Sequence, residues 1–192
     1  PNYNVSLAEK IIPAADVSEQ ISLASKEASG TSNMKLMLNG AITIATLDGA
    51  NVEIRDAVGD ENIYIFGLTE AEVYAYYENK NYSSREVYET NPIVHRVLNA
   101  FVDGSIPNIE REGQEIVDSL LLYNDEYFLL RDFDAYCKAQ ARLNQDYQDA
   151  THWQKCSLIN IANAGTFSAD KTVKQYAEDI WQIEPLFAHK GR

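Results

Sequence analysis

A strand–helix–strand spacing constrains this chain more than any other feature. Ile42-Thr43-Ile44-Ala45 and Ile63-Tyr64-Ile65-Phe66 are short apolar runs with the composition of buried strands. Between them Asp48-Gly49 marks a turn, and Asn51 to Val58 carries a helical pattern that Gly59 can close. A connection this short with a helix in it makes the two strands parallel neighbours, because the helix must cross back over one face of the sheet. Val5-Ser6-Leu7 reads as a further short strand. The expected fold class is α/β, with a short parallel sheet in residues 1–67 and a helix-rich half in residues 68–192.

The second half reads as capped, amphipathic helices. Thr69-x-x-Glu72 and Ser83-x-x-Glu86 have capping-box spacing. Ile93, Val97 and Phe101, with Val94 and Leu98 beside them, give one broad apolar face on a helix over 92–102. Ile116, Leu120 and Leu121 predict another after Gly113. Asp132 is placed to cap a helix from Phe133 to about Asp146, and Thr151-x-x-Gln154 one that Gly165 ends. Ser168 or Asp170 starts the last helix, with Val173, Ala177, Ile180 and Trp181 inward, and Trp153 and Trp181 are expected to clamp the terminal helices onto the body. Three parallel strands leave two open edges, and the first residue is Pro rather than Met. The chain is therefore expected to be a piece of a larger α/β protein.

Composition excludes several functions. Apolar residues make up 45% of the 192, enough for a core and too many for a disordered chain. A net charge of −13 opposes broad contact with nucleic acid or an anionic membrane, though not a local anion site. No apolar run approaches the ~20 residues that span a bilayer, and the first residues lack the form of a signal peptide. Cys137 and Cys156 fit no metal spacing and read as reduced, which makes a cytoplasmic location the expectation. His95, His152 and His189 show no ligand spacing either, so no metal is expected. Asp48 and Glu53 could be imagined as a hydrolytic carboxylate pair, but Asp48 ahead of Gly49 is first a turn residue. Tyr74, Tyr76 and Tyr77 form an aromatic helix face suited to packing.

The densest chemical signal lies in residues 26–40, Lys-Glu-Ala-Ser-Gly-Thr-Ser-Asn-Met-Lys-Leu-Met-Leu-Asn-Gly. Ser29 to Asn33 are small and polar and lead straight into a helix whose Met34, Met37, Leu38 and Ala41 define one buried stripe. Amides at a helix start have no intrahelical acceptor, and small residues let an anion approach them. Lys35 falls on the face of Thr31 and Ser32, one turn further on, with Leu36 and Met37 as apolar neighbours that would desolvate its amine. An amine beside an anion cradle suits a phosphorylated aldehyde. The same pattern also serves an ordinary cap followed by a lysine that reaches water.

The run Glu27-Ala-Ser-Gly-Thr-x-Asn-Met-Lys35, followed by Leu38-Asn-Gly-Ala41 and Thr46-Leu-Asp-Gly-Ala-Asn-Val-Glu53, resembles the α-glucan phosphorylases. So do Tyr3 to Lys10 with Ile12-Pro13-Ala14-Ala15-Asp16, Asn62 to Gly67, and the C-terminal set Trp153, Asn160-Ile161-Ala162, Gly165, Phe167-Ser168, Asp170, Tyr176-Ala177 and Ile180-Trp181. The match covers nearly the whole chain and is weaker between 68 and 150. The resemblance implies part of the C-terminal Rossmann-like domain of a two-domain GT-B glycosyltransferase that binds pyridoxal phosphate. By that resemblance Lys35 is the catalytic residue that carries the cofactor as a Schiff base, and backbone amides of Thr31 and Ser32 hold the cofactor phosphate. Tyr3 lines the cofactor pocket. Glu27, through its carboxylate, and Ser29 and Gly30, through their amides, bind the glucosyl unit. Ser32 is often glycine in the family, Asn4 stands where some members have arginine, and Ser25-Lys26 replaces the commoner Gly-Thr; none of these touches Lys35.

The reaction implied is reversible phosphorolysis. Inorganic phosphate attacks the non-reducing-end linkage of an α-1,4-glucan and releases glucose 1-phosphate with retention, the cofactor phosphate acting as acid–base partner. The implied partners are the glucan, inorganic phosphate, a missing N-terminal domain and a second subunit in a homodimer. With half the cleft missing, the isolated chain is expected to be inactive and to hold the cofactor weakly or not at all. The rival readings are a GT-B transferase that uses a nucleotide sugar, which needs no lysine at position 35, and an acidic non-catalytic scaffold.

Overall fold

Ile42, Thr43, Ile44 and Ala45 are all buried, so the strand they form lies in the middle of a sheet covered on both faces. The computed structural model describes residues 2–184. Its sheet has three parallel strands in the order β1 (Val17–Gln20), β2 (Ile42–Ala45) and β3 (Tyr64–Ile65). Val17 pairs with Ile42, and Ile44 with Tyr64. The crossover from β1 to β2 contains helix α2 (Ser32–Leu38), and that from β2 to β3 contains α3 (Ala50–Val58), closed at Gly59 as its sequence predicts.

The third strand is not the one expected. Val5-Ser6-Leu7 opens a helix, α1 (Val5–Ile11), because Asn4 caps it: the Asn4 side-chain oxygen accepts the Leu7 N–H at 3.1 Å. No residue of α1 is buried. The edge strand β1 instead comes from Val-Ser-Glu-Gln, which carries a single apolar residue and so gives no apolar run to read. Its Ser18 is fully buried and receives a hydrogen bond from the Gln20 amide at 3.1 Å.

Because side chains alternate along a strand, the sheet has two separate cores. Ile42, Ile44, Tyr64 and Phe66 meet Leu143, Trp153 and Cys156, from α8 (Leu129–Tyr147) and α9 (Ala150–Asn163). Ile63 on the other side meets Met37 of α2, Ile54 and Val58 of α3 and Ala164. Each such large side chain taken from water stabilises the fold by about 1.5–3 kcal/mol. The helical half is thus fastened to the sheet, with Trp153 in the clamping position expected of it. Cys137 is an exposed free thiol and Cys156 a buried one.

Between β3 and α8 run α4 (Glu70–Asn79), α5 (Ser84–Thr90), α6 (Pro92–Ala100) and α7 (Glu110–Val117). Thr69 and Glu72 form the reciprocal capping box, and Ser83 accepts the Glu86 N–H. On α6 only Val94 and Leu98 are buried while Ile93 and Val97 are exposed, so its apolar face is narrower than its composition implies. His95 is exposed and stacks on Tyr88. Helix α7 runs through Gly113 instead of starting after it; the glycine answers to packing, because a side chain there would strike the Phe101 carbonyl.

Two caps differ from expectation for one reason: the capping carboxylate sits further upstream than the apolar pattern suggests. Helix α8 starts behind Phe128, and Asp125 further upstream does a cap's work by accepting the Leu129 and Leu130 N–H groups and the Tyr82 O–H, which leaves Asp132 inside the helix. Asp149, not Thr151, caps α9. Helix α10 (Ala169–Gln175) starts at Ser168 as expected and continues as a π-helix, Tyr176–Trp181. Its Val173, Ile180 and Trp181 do not face a core; Trp181 is 54% exposed, because no described element lies against that side. No helix among the described residues is long and apolar enough to cross a membrane, and His189 lies outside them.

Candidate functional site

The carboxyl ends of the strands lead into three loops: residues 21–31 after β1, 46–49 after β2 and 66–69 after β3. In open parallel sheets this is the end where ligands bind, since loop and helix-start amides face outward there. The first two loops are tied together. The Asp48 carboxylate accepts the backbone N–H groups of Lys26 at 3.0 Å and Glu27 at 2.8 Å, and the Ala50 N–H donates to the Ser29 carbonyl at 2.8 Å. Gly49, with φ of +51°, sits where a β-carbon would come within 2.7 Å of that same carbonyl. Only glycine lets the two loops approach this closely.

Beneath them lies a buried amide pair. Asn33 and Asn51 each occupy the second position of their helices, α2 and α3, and both are almost fully buried. Asn33 Nδ2 donates to Asn51 Oδ1 at 3.0 Å, and Asn51 Nδ2 donates to the Thr46 carbonyl at 3.2 Å. Asn33 Oδ1 accepts the Met34 N–H at 2.9 Å. This network holds the start of α2 against the β2 loop.

The frame leaves its outer surface unsatisfied. The backbone N–H groups of Ser29, Gly30, Thr31 and Ser32 have no acceptor among the described residues. Gly30, at φ +88°, turns this run back over the Asn33 side chain. The Ser32 hydroxyl lies 3.3 Å from the Gln20 amide nitrogen, and the Glu27 carboxylate takes a hydrogen bond from Ser22 at 3.4 Å. Lys35 lies on α2 one turn beyond the amides, and its side chain makes no hydrogen bond or ion pair among the described residues. It is exposed, contrary to the apolar enclosure its neighbours suggest: Met37 is buried, but residues two apart on a helix point about 200° apart. Leu38 is likewise exposed, so the buried stripe narrows to Met37 and Ala41 with Met34 half covered. Tyr3 stands 68% exposed ahead of α1, without a side-chain hydrogen bond or ring partner among the described residues. A run of acceptor-free amides with an exposed amine one turn further on can hold an anion that also carries a carbonyl.

Four residues of this frame escaped the sequence reading as site components: Asn33, Thr46, Gly49 and Asn51. Their one readable signal is an asparagine at the second position of each of two successive helices.

At the third loop, Asp132 Oδ1 accepts the Leu68 N–H at 2.9 Å, pinning the chain where it leaves β3. Burial pushes the Asp132 carboxyl above its ordinary range, against the opposing effects of that hydrogen bond and of Arg131; Asp125 and Glu72 push it further up. A raised folded-state value means the native state holds the proton more tightly than the unfolded chain. Stability from this group is full below the ordinary carboxylate range and is lost as pH rises from there through the raised value. Asp132→Asn is expected to remove that decline, so unfolding midpoints measured across acidic pH should fall less steeply with rising pH in the variant. Parallel profiles would contradict the assignment.

The chain is similar to known proteins over almost its whole length. The chain matches the family model for carbohydrate phosphorylases over residues 1–183. It is 52% identical over 185 residues to a glycogen phosphorylase of Bacillus subtilis (strain 168), a match covering 96% of this chain and 23% of that relative. It is 45% identical over 188 residues to the liver form of glycogen phosphorylase of Homo sapiens, covering 96% and 22%. For the glycogen phosphorylase of Haemophilus influenzae the figures are 45% over 186 residues, 97% and 22%. The chain spans less than a quarter of the length of these relatives. With the match running from residue 1 to residue 183 and through every loop of the site, the chain belongs to the carbohydrate phosphorylase family.

Proposed function

We propose that this chain is part of the cofactor domain of an α-glucan phosphorylase that uses inorganic phosphate to release glucose 1-phosphate from the non-reducing end of α-1,4-glucans. The observation that carries the reading is the run of four acceptor-free amides, Ser29 to Ser32, leading into the helix of exposed Lys35 in a chain of this family. Residues 1–67 and 68–192 are then two parts of one Rossmann-like domain of GT-B type. The other half of the cleft comes from an N-terminal domain outside this chain, and the full-length protein works in the cytoplasm as a homodimer.

In this reading Lys35 holds pyridoxal phosphate covalently through its amine, and the Thr31 and Ser32 amides bind the cofactor phosphate. Tyr3 lines the cofactor pocket. The Glu27 carboxylate accepts from sugar hydroxyls, and the Ser29 and Gly30 amides donate to them. Asp48, Gly49 and Asn51 touch no substrate and act by positioning these groups. When bound, the cofactor supplies through its phosphate a proton donor and acceptor for the substrate phosphate. Two phosphates in contact repel, so cationic side chains must hold them together. Those cations lie outside this chain, which is why the isolated chain is expected to be inactive. The sequence between Glu27 and Lys35 argues against a nucleotide-sugar transferase, which has no use for an amine at this position.

The test is borohydride reduction of the full-length protein after incubation with pyridoxal phosphate, followed by peptide mapping. A pyridoxyl group on Lys35 is the expected result. A folded, cofactor-saturated protein with Lys35 unmodified would bring the nucleotide-sugar or scaffold reading forward.

A further inference from the structure

We propose that the cavity at the carboxyl ends of the three strands binds a small cationic amine with an apolar body. It lies between the loops after β1, β2 and β3 and the first turns of α8, separate from the amide run of residues 29–32, and has a volume of about 220 Å³. Buried Leu23 and Phe66 and the half-buried ring of Phe133 form its walls, and Ile21 stands at its rim, 52% exposed. An apolar cavity of ~150 Å³ accommodates a benzene ring, so this one holds a ring with a short arm.

The cavity has one charged, buried anchor. Asp132 lines it and is only 9% exposed. Its Oδ1 is taken by the Leu68 N–H, while Oδ2 has no donor among the described residues. Oδ2 lies on the Gly67 side, where a β-carbon on Gly67 would come within 2.6 Å of it, and it is not fully enclosed. Of the other polar groups on the wall, those of Thr46 and Tyr136 are already engaged, while the hydroxyl of half-exposed Tyr127 has no partner among the described residues. The Thr46 hydroxyl donates to the Ser22 carbonyl, and the Tyr136 hydroxyl is shared between Glu19 and Gln140. A ligand therefore meets apolar surface, one half-used carboxylate and the exposed Tyr127 phenol.

The charge of the carboxylate itself favours a cation over a neutral donor, with Arg131 the strongest of the neighbouring charges acting on it. Asp125 and Glu72 add negative potential at Asp132. The one nearby cation, Arg131, points its Nε to the Tyr76 hydroxyl at 2.9 Å and makes no ion pair with Asp132 among the described residues. An ammonium group at Oδ2 would complete the second half of the carboxylate, and an attached ring would fill the walls.

Benzylamine is a suitable probe, with benzyl alcohol as its neutral counterpart, in calorimetric titrations of the chain and of the full-length protein. Benzylamine is expected to bind at least about tenfold more tightly than benzyl alcohol, a charge-assisted hydrogen bond being the difference. Asp132→Asn keeps an acceptor for the Leu68 N–H and should remove that preference. Ile21→Trp plugs the cavity from an exposed position and should abolish binding of both probes, so it tests the site even if the Asp132 variant fails to fold. Equal affinity for the two probes in the unmodified chain, or benzylamine binding that survives Ile21→Trp, would overturn the proposal. So would binding by the chain that vanishes in the full-length protein, since the rest of the polypeptide would then occupy the cavity.

Discussion

Replacing Lys35 by alanine in the full-length protein is expected to lower phosphorolysis by on the order of 10²–10⁴, the range associated with losing a positioned acid–base group. The same change should leave the fold intact. Lys35 is exposed, has no ion pair among the described residues and sits on a helix where alanine is the better former, so stability should move by no more than about 0.5 kcal/mol. This separation makes the experiment informative. Lys35→Arg retains the positive charge beside the amide run but offers no amine able to condense with a carbonyl. If Lys35 acted only as a charge that attracts phosphate, arginine would restore most of the rate. If it holds the cofactor covalently, both variants lose the cofactor on dialysis and both lose activity. Initial rates of glucose 1-phosphate release, read beside cofactor content and thermal unfolding, decide between these. Near-normal rates in the alanine variant would sink the site assignment.

The parts of the site legible in the sequence were those where chemistry and local order coincide. Lys35, Thr31 and Gly30 lie in a run of small polar residues that opens a helix, a pattern an ordinary cap shares, and it is the resemblance to the α-glucan phosphorylases that marks them as candidate site residues. Strands β2 and β3 were legible without it: branched residues side by side have few places to go other than a buried strand. Strand β1 was not. Val-Ser-Glu-Gln becomes a strand only because β2 offers it an edge to pair with, and that is a tertiary fact. Val5 to Leu7 shows the converse, three residues of strand-like composition made helical by the asparagine before them. Asp132 looked like a cap because it precedes an apolar stretch. The carboxylate that takes the first α8 amides is Asp125, which also accepts the Tyr82 hydroxyl from 43 positions earlier in the chain, a contact no local window contains. The Asn33–Asn51 pair was hidden for the same reason, its partners being 18 residues apart and joined only once α2 and α3 lie side by side.

That hidden pair carries the largest expected effect on stability. Asn51→Ala removes the acceptor of Asn33 Nδ2, which is left with one long contact to the Ser29 carbonyl at 3.4 Å, and removes one of the two donors to the Thr46 carbonyl, which keeps only the Asp48 N–H. A buried donor stripped of its partner, with a small void beside it, is expected to cost about 2–3 kcal/mol in urea unfolding. Asn51→Asp should be worse at neutral pH, because it turns a carboxylate toward the Thr46 carbonyl in a buried place. Its deficit should shrink on acidification, since a buried carboxylate with no cation holds its proton above the ordinary range, and stability then falls as pH rises through that range. Alanine has no titrating group and should show no such recovery. The functional consequence follows from the same bonds. With the start of α2 no longer fastened to the β2 loop, the amides of Ser29 to Ser32 lose their common direction, and cofactor retention should fall in the full-length protein even under conditions where it stays folded. A loss below about 0.5 kcal/mol, with cofactor retention unchanged, would mean that the Asp48 and Ala50 contacts hold the loop by themselves.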